Sequence, residues 1–188
     1  MRKIILTVAT TLDGFIEGPN GELNWLVKDP TTDFGDILNN ILADVDTIFY
    51  GRVSYDRWGH YQPGEDAGEK LKAAYALLHS KQKYVFSRTT GNDDTKTVFI
   101  PNDLEMNVRK ILQQPGKNIW LYGGASLVSS FANLGLVDIY QLAVHPVIIG
   151  AGKPLFQNIR QRINLQLESA TPSRSGVVVL SYTSIKKL

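Results

Sequence analysis

Short apolar runs and segments with helix-spaced apolar residues alternate along the first two-thirds of the chain, and extended runs alone complete it. This alternation restricts the fold more than any other feature. The runs at 4–9, 46–51, 83–88, 96–100 and 118–122 read as strands, the first of them a near-continuous apolar run as expected for a strand covered on both faces. Between them, apolar residues recur at helical spacing. One set is Phe34, Ile37, Leu38, Ile41 and Leu42, with Asp33 at the N-cap position. The others are Leu71, Ala74, Tyr75 and Leu78; Leu104, Val108, Ile111 and Leu112; and Leu127, Val128, Phe131 and Leu134. The last third offers a long strand over 139–149, interrupted at His145-Pro146. It ends in strands at 164–169 and 177–185, joined by T-P-S-R-S-G, a turn signal that suggests a hairpin. The pattern predicts an α/β fold, a three-layer sandwich with a mostly parallel sheet and antiparallel C-terminal strands. No internal repeat, low-complexity segment or linker interrupts residues 1–188, so a single domain is expected.

Composition removes several function classes. The chain has 188 residues, 43% of them hydrophobic and 20% charged, enough for a core without staples. It contains no cysteine, which excludes disulfides, thiolate nucleophiles and cysteine-ligated metals and is in keeping with a cytoplasmic protein. A formal net charge of +2 argues for neither nucleic acid nor a membrane surface as partner. The opening M-R-K-I-I-L-T-V-A-T reads as a first strand rather than a signal peptide, and no run is long enough to span a membrane.

The sharpest local signal is N-I-W-L-Y-G-G-A-S-L at 118–127, a strand running into two glycines that open a helix. Glycines at such a junction let the backbone approach a ligand, and the N–H groups and dipole at the helix start favour an anion such as phosphate. A tight turn would use the same pair. Two further strand ends carry related residues, Gly51-Arg52-Val53-Ser54 and Ser87-Arg88. In open α/β sheets, ligands bind outside the carboxyl ends of the strands. Guanidinium groups suit phosphate because their planar fork donates two bonds at fixed charge. The three strand ends together, Gly123-Gly124-Ala125-Ser126 being the third, suggest a ligand with several phosphates. No G-x-G-x-x-G follows the first strand, no P-loop lysine motif or G-x-S-x-G elbow is present, and His60, His79 and His145 are scattered. No metal site is expected.

The order of T-L-D-G-F-I, Trp25, F-Y-G-R-V-S-Y, F-S-R, L-Y-G-G-A-S-L and H-P-V-I-I-G-A-G-K-P-L-F resembles the dihydrofolate reductase superfamily. Within it, the chain is more similar to the branch containing the reductase domain of the riboflavin-biosynthesis deaminase/reductase. The resemblance implies a dihydrofolate reductase-like fold and NADPH as cofactor. It places the backbone of Ala9 and Ile16 beside the nicotinamide, with Gly51, Arg52, Val53 and Ser54 holding phosphate and Arg52 near the adenosine 2′-phosphate. Ser87 and Arg88 make the second adenosine-side contact, and Gly123, Gly124, Ala125, Ser126 and Leu127 cradle the pyrophosphate. The substrate side departs from the family pattern. Where relatives carry a carboxylate after the tryptophan, Asp29, Asp33 and Asp36 lie nearby without clean alignment, and Tyr122 stands where an acid precedes the Gly-Gly. Asp33, also an N-cap, and Asp13, also a turn residue, are the catalytic candidates. The expected activity is NADPH-dependent reduction of a small heterocycle, a pterin or an aminopyrimidine, by a homodimer. A binding module of the same fold without turnover is the second reading, and a flavin- or nucleotide-binding oxidoreductase is the third.

Overall fold

The computed structural model describes residues 1–28, 33–89, 91 and 95–185. Its main sheet has eight strands in the order β5-β4-β3-β6-β1-β7-β10-β9, mostly parallel and closed by an antiparallel C-terminal pair. The strands are β1 Ile4–Thr11, β3 Val45–Gly51, β4 Gln82–Phe86, β5 Thr97–Ile100, β6 Asn118–Gly123, β7 Ile139–His145, β9 Leu165–Pro172 and β10 Val178–Ser184. Two short strands, β2 Phe15–Glu17 and β8 Lys153–Pro154, pair separately. The helices are α1 Phe34–Ala43, α2 Arg52–Trp58, α3 Glu69–Ser80, α4 Leu104–Leu112 and α5 Ala125–Asn133. The α/β class, the parallel sheet and its antiparallel end follow the sequence expectation. Two compact units divide the chain, one comprising Met1–Lys3 with Pro30–Tyr122 and the other Ile4–Asp29 with Gly123–Leu188. Among the described residues, no helix is long and apolar enough to cross a membrane.

The first unit is built on parallel pairing of β3 with β4 and of β4 with β5. Its core gathers Leu38 and Leu42 from α1, Val45, Ile48 and Tyr50 from β3, and Ala74 and Leu78 from α3. Asp33 caps α1, its Oδ1 accepting from the Gly35 N–H at 2.7 Å. Leu38 and Leu42 are buried as the helical spacing requires, whereas Phe34 and Ile37, assigned to the same face, are exposed. Gly35 makes the close approach of α1 to α3 possible, because a Cβ there would lie 2.8 Å from the Lys70 carbonyl carbon. At the other end of the sheet, buried Arg2 pairs with Asp46 and donates to the Thr47 hydroxyl at 2.6 Å and the Lys117 carbonyl at 2.7 Å. A buried guanidinium is tolerated because these acceptors satisfy its donors.

In the second unit, β1 and β7 run parallel in a register fixed by Asp138. The Ile4 N–H donates to its Oδ2 and its own N–H donates to the Ile4 carbonyl, each at 2.9 Å. β7 ends at His145, at the interruption the sequence marked, and the strand does not resume to 149. Pro146 has no N–H for a ladder, and the Val147 N–H turns back to the His145 carbonyl at 2.8 Å. Leu134 likewise falls beyond α5, as its exposed C-cap. β9 and β10 form the expected hairpin, turned at Gly176 with φ +84°. β2 and β8 had no sequence signal, since elements of two or three residues are too short to show a period.

Candidate functional site

In the first unit, Gly51 and Phe86 are register partners on neighbouring parallel strands, so Gly51-Arg52 and Ser87-Arg88 leave the same carboxyl edge. The structure therefore brings these two predicted strand ends together. Arg52 Nε donates to Asp56 Oδ2 at 2.8 Å, one helical turn on, and its guanidinium lies 5.6 Å from the Phe99 ring centroid. Both side chains of the pair are substantially exposed. Val53 points to solvent and Ser54 is half-buried. The Ser87 hydroxyl is occupied locally, donating to the Thr89 carbonyl at 2.8 Å and accepting from the Thr89 N–H at 3.2 Å. Arg88 is exposed and makes no hydrogen bond or ion pair among the described residues.

Gly123, with which the later part of the second unit begins, has φ +106°, a region that L side chains rarely adopt, and the Gly123-Gly124 peptide is cis. Gly124 then caps α5 through backbone alone, with no side-chain acceptor and no acidic residue in the first turn. The N-terminal turn thus keeps its positive end without an internal counter-charge. Ala125 and Leu127 anchor the helix by burial, and Ser126 stays exposed. Ala9 is half-buried within β1, opposite Ala143, and Ile16 is half-buried in β2.

The two catalytic candidates both hold backbone. Asp33 is the α1 cap described above. Asp13 accepts from the Gly150 N–H at 2.8 Å through Oδ2 and from the Ile149 N–H at 3.4 Å through Oδ1, fastening its loop to the segment after β7. The Thr11 hydroxyl, reinforced by these backbone donors, holds the Asp13 carboxyl below its ordinary range although desolvation opposes it. A carboxyl held ionised has no proton to give at neutral pH. Asp36, also considered at sequence level, accepts from Lys70 Nζ at 2.8 Å, and Asp29 lies outside the described residues.

Sequence reasoning missed a buried pair in the second unit. Trp25 and His145 meet edge to face, ring centroids 5.4 Å apart. His145 is 7% exposed, a buried ring rather than a surface one. The Val27 N–H donates to its Nδ1 at 3.0 Å, which places the ring proton on Nε2 when the imidazole is neutral. Desolvation lowers its pKa and favours that neutral form. Trp25 is 8% exposed, and its indole N–H has no partner among the described residues. A histidine immediately before the proline that ends an apolar strand was the available signal.

Comparison with known proteins adds a family to this geometry. The RibD C-terminal domain family matches residues 2–179. An uncharacterized protein of Bacillus subtilis (strain 168), YyaP, is 51% identical over 181 residues, covering 96% of this chain and 94% of its own. Among solved structures, a putative riboflavin biosynthesis protein from Shewanella sp. PV-4 superposes with a TM-score of 0.79 at 20% identity, covering 99% of this chain and 100% of that one. The dihydrofolate reductase of Enterococcus faecalis, solved in complex with NADP(H), gives a TM-score of 0.64 at 11% identity, covering 98% and 97%. At these identities the structural likeness carries the fold.

Proposed function

Because the chain belongs to the RibD C-terminal domain family, we propose that it is an NADPH-dependent reductase of a small heterocycle, a pterin or an aminopyrimidine. The observation that carries this reading is the start of α5, a helix capped by glycine backbone alone, with no acid in its first turn, after a glycine at positive φ. Such a turn suits a pyrophosphate, whose charge the backbone N–H groups and helix dipole stabilise. The residues that would take it are Gly123, Gly124, Ala125, Ser126 and Leu127. As the family resemblance implies, Arg52, Ser54, Ser87 and Arg88 would serve the adenosine-side phosphate. Arg88 is the stronger candidate there, since Arg52 already faces Asp56. Bound NADPH would supply the hydride, and the chain would supply orientation and electrostatics. Asp13 and Asp33 enter the reading as holders of backbone rather than as proton donors.

Calorimetric titration with NADPH, NADH and FAD tests this. NADPH is expected to bind clearly tighter than NADH, and Arg88→Ala to weaken NADPH by about 10- to 100-fold, the equivalent of one charge-assisted bond of ~1.5–3 kcal/mol. NADH, lacking the 2′-phosphate, should be little affected. Absence of nicotinamide binding, or equal losses for both cofactors, would refute the assignment. We also propose that the protein is a homodimer, with the apolar segment around Val144 to Ile149 as its contact. A monomer in sedimentation at micromolar concentration would remove it.

A further inference from the structure

We propose that Asn20 is a site of spontaneous deamidation held in check by the Glu22 carboxylate, and that the acid formed there releases the loop 18–22. The site lies wholly within the second unit, between β2 and the buried Trp25. The reaction needs only water, so it stands apart from the reductase reading. Asn20-Gly21 is the single Asn-Gly pair in the sequence. An asparagine amide is thermolabile, and a following glycine has no side chain to shield its nitrogen. The Gly21 nitrogen gives its proton to solvent and bonds to Asn20 Cγ, closing a five-membered imide. The Cγ–Nδ2 bond breaks, and Nδ2 leaves as ammonia with a proton from water. Water then opens the imide at one of its two carbonyls, giving aspartate or isoaspartate at position 20.

Asn20 is exposed, so water reaches it, yet both reacting nitrogens are held. Pro19 and Asn20 form the corners of a β-turn that the Gly21 N–H closes on the Gly18 carbonyl at 3.0 Å. Glu22 then folds back over the turn. Its Oε1 accepts from Asn20 Nδ2 at 2.9 Å and its Oε2 from the Asn20 N–H at 2.8 Å. A carboxylate can only accept, so the leaving nitrogen of the amide, and not its oxygen, stands against it. The Gly18 N–H completes the loop by donating to the Glu22 carbonyl at 2.9 Å. Gly18 is buried and has to be small, because a Cβ there would lie 2.3 Å from Glu22 Oε2. Imide formation must draw Nδ2 from Oε1 and the Gly21 nitrogen from the Gly18 carbonyl, so the clamp slows the reaction without preventing it. Hydrolysis then replaces the Nδ2 donor with an anionic oxygen facing Oε1. Two carboxylates, both ionised at neutral pH, repel at that contact, and the loop opens.

The test incubates the purified chain at neutral pH beside a synthetic peptide of residues 17–24 and locates the amide-to-acid mass change by tryptic peptide mapping. Asn20 is expected to convert in the folded protein about tenfold more slowly than in the peptide, the factor that one ordinary hydrogen bond is worth. Glu22→Ala removes both acceptors, and Gly18→Ala displaces the carboxylate from outside. Each should raise the rate in the folded protein about tenfold, with circular dichroism showing that the fold is kept. Glu22→Gln, which keeps one accepting oxygen, should fall between. A wild-type rate equal to that of the peptide, or no acceleration in Glu22→Ala, would overturn the clamp. No conversion at Asn20 in the wild type or any variant would overturn the site. Release of the loop is read separately in Asn20→Asp, which makes the product directly. A glutamyl endopeptidase should cut after Glu22 at least tenfold faster in Asn20→Asp than in wild type, because a clamped loop resists the extended conformation that cleavage needs. Equal cleavage rates would overturn the release.

Discussion

Replacing Tyr50 by phenylalanine should make the protein more stable, the opposite of the usual effect of cutting into a core. Tyr50 is 0% exposed, its ring 4.7 Å from that of Tyr122 and 5.6 Å from that of Tyr55 by centroid. Its hydroxyl has no hydrogen-bond partner among the described residues. Burial, followed by the neighbouring Tyr122, Tyr55 and Tyr75, pushes its pKa well above the ordinary value, so the group stays a neutral donor. A buried polar group left unsatisfied costs ~1–3 kcal/mol, which the unfolded chain escapes through hydration. Deleting the oxygen leaves a void of about 10 Å3, worth about 0.2 kcal/mol at ~24 cal/mol per Å3. The relief exceeds the void by several-fold, so the net gain is ~1–2.5 kcal/mol. For a chain of this length, each kcal/mol raises the Tm by about 2–4 °C. Equilibrium urea unfolding of Tyr50→Phe and wild type, followed by tryptophan fluorescence, reads the difference as a higher midpoint at an unchanged slope. A midpoint equal to or below that of wild type would refute the reasoning, because the hydroxyl would then have a partner such as an enclosed water.

Other consequences can be checked separately. Gly35→Ala places a methyl group against the α3 backbone at Lys70 and Leu71 and should destabilise by ~1–3 kcal/mol in the same urea assay. Asp33→Asn keeps a capping side chain but removes any acid, so stability should move by no more than a few tenths of a kcal/mol. If a substrate is found, its turnover should be unchanged; a turnover loss above tenfold would restore Asp33 as a catalytic residue. Burial, with Asp138 adding to it, raises the Tyr140 pKa to about 12. A folded-state pKa raised above the unfolded value of ~10 gives stability that is complete below that value and lost as pH rises through the folded one. Unfolding free energy should therefore decline between about pH 10 and 12, and Tyr140→Phe should lessen that decline by up to ~1.4 kcal/mol per pH unit. An identical alkaline slope in the variant would contradict this.

Local periodicity and turn chemistry made much of the architecture legible. Apolar runs marked the long strands, Asp33 marked the start of α1, and T-P-S-R-S-G marked the final hairpin, each a feature set by residues adjacent in the chain. The Gly-Gly junction was legible for the same reason, since positive φ at Gly123 is a demand on one residue's backbone. Tertiary structure decided what depends on residues far apart. It paired β2 with β8 and turned Phe34 and Ile37 outward from a helix whose spacing placed them inward. It also gave Asp13 its partners at Ile149 and Gly150, and set Trp25 against a histidine 120 positions later in the chain. A side chain's role as cap, clamp or donor depends on which partners satisfy it. Partners within a few residues can be read from the sequence, whereas those brought from across the chain exist only once the strands have taken their register.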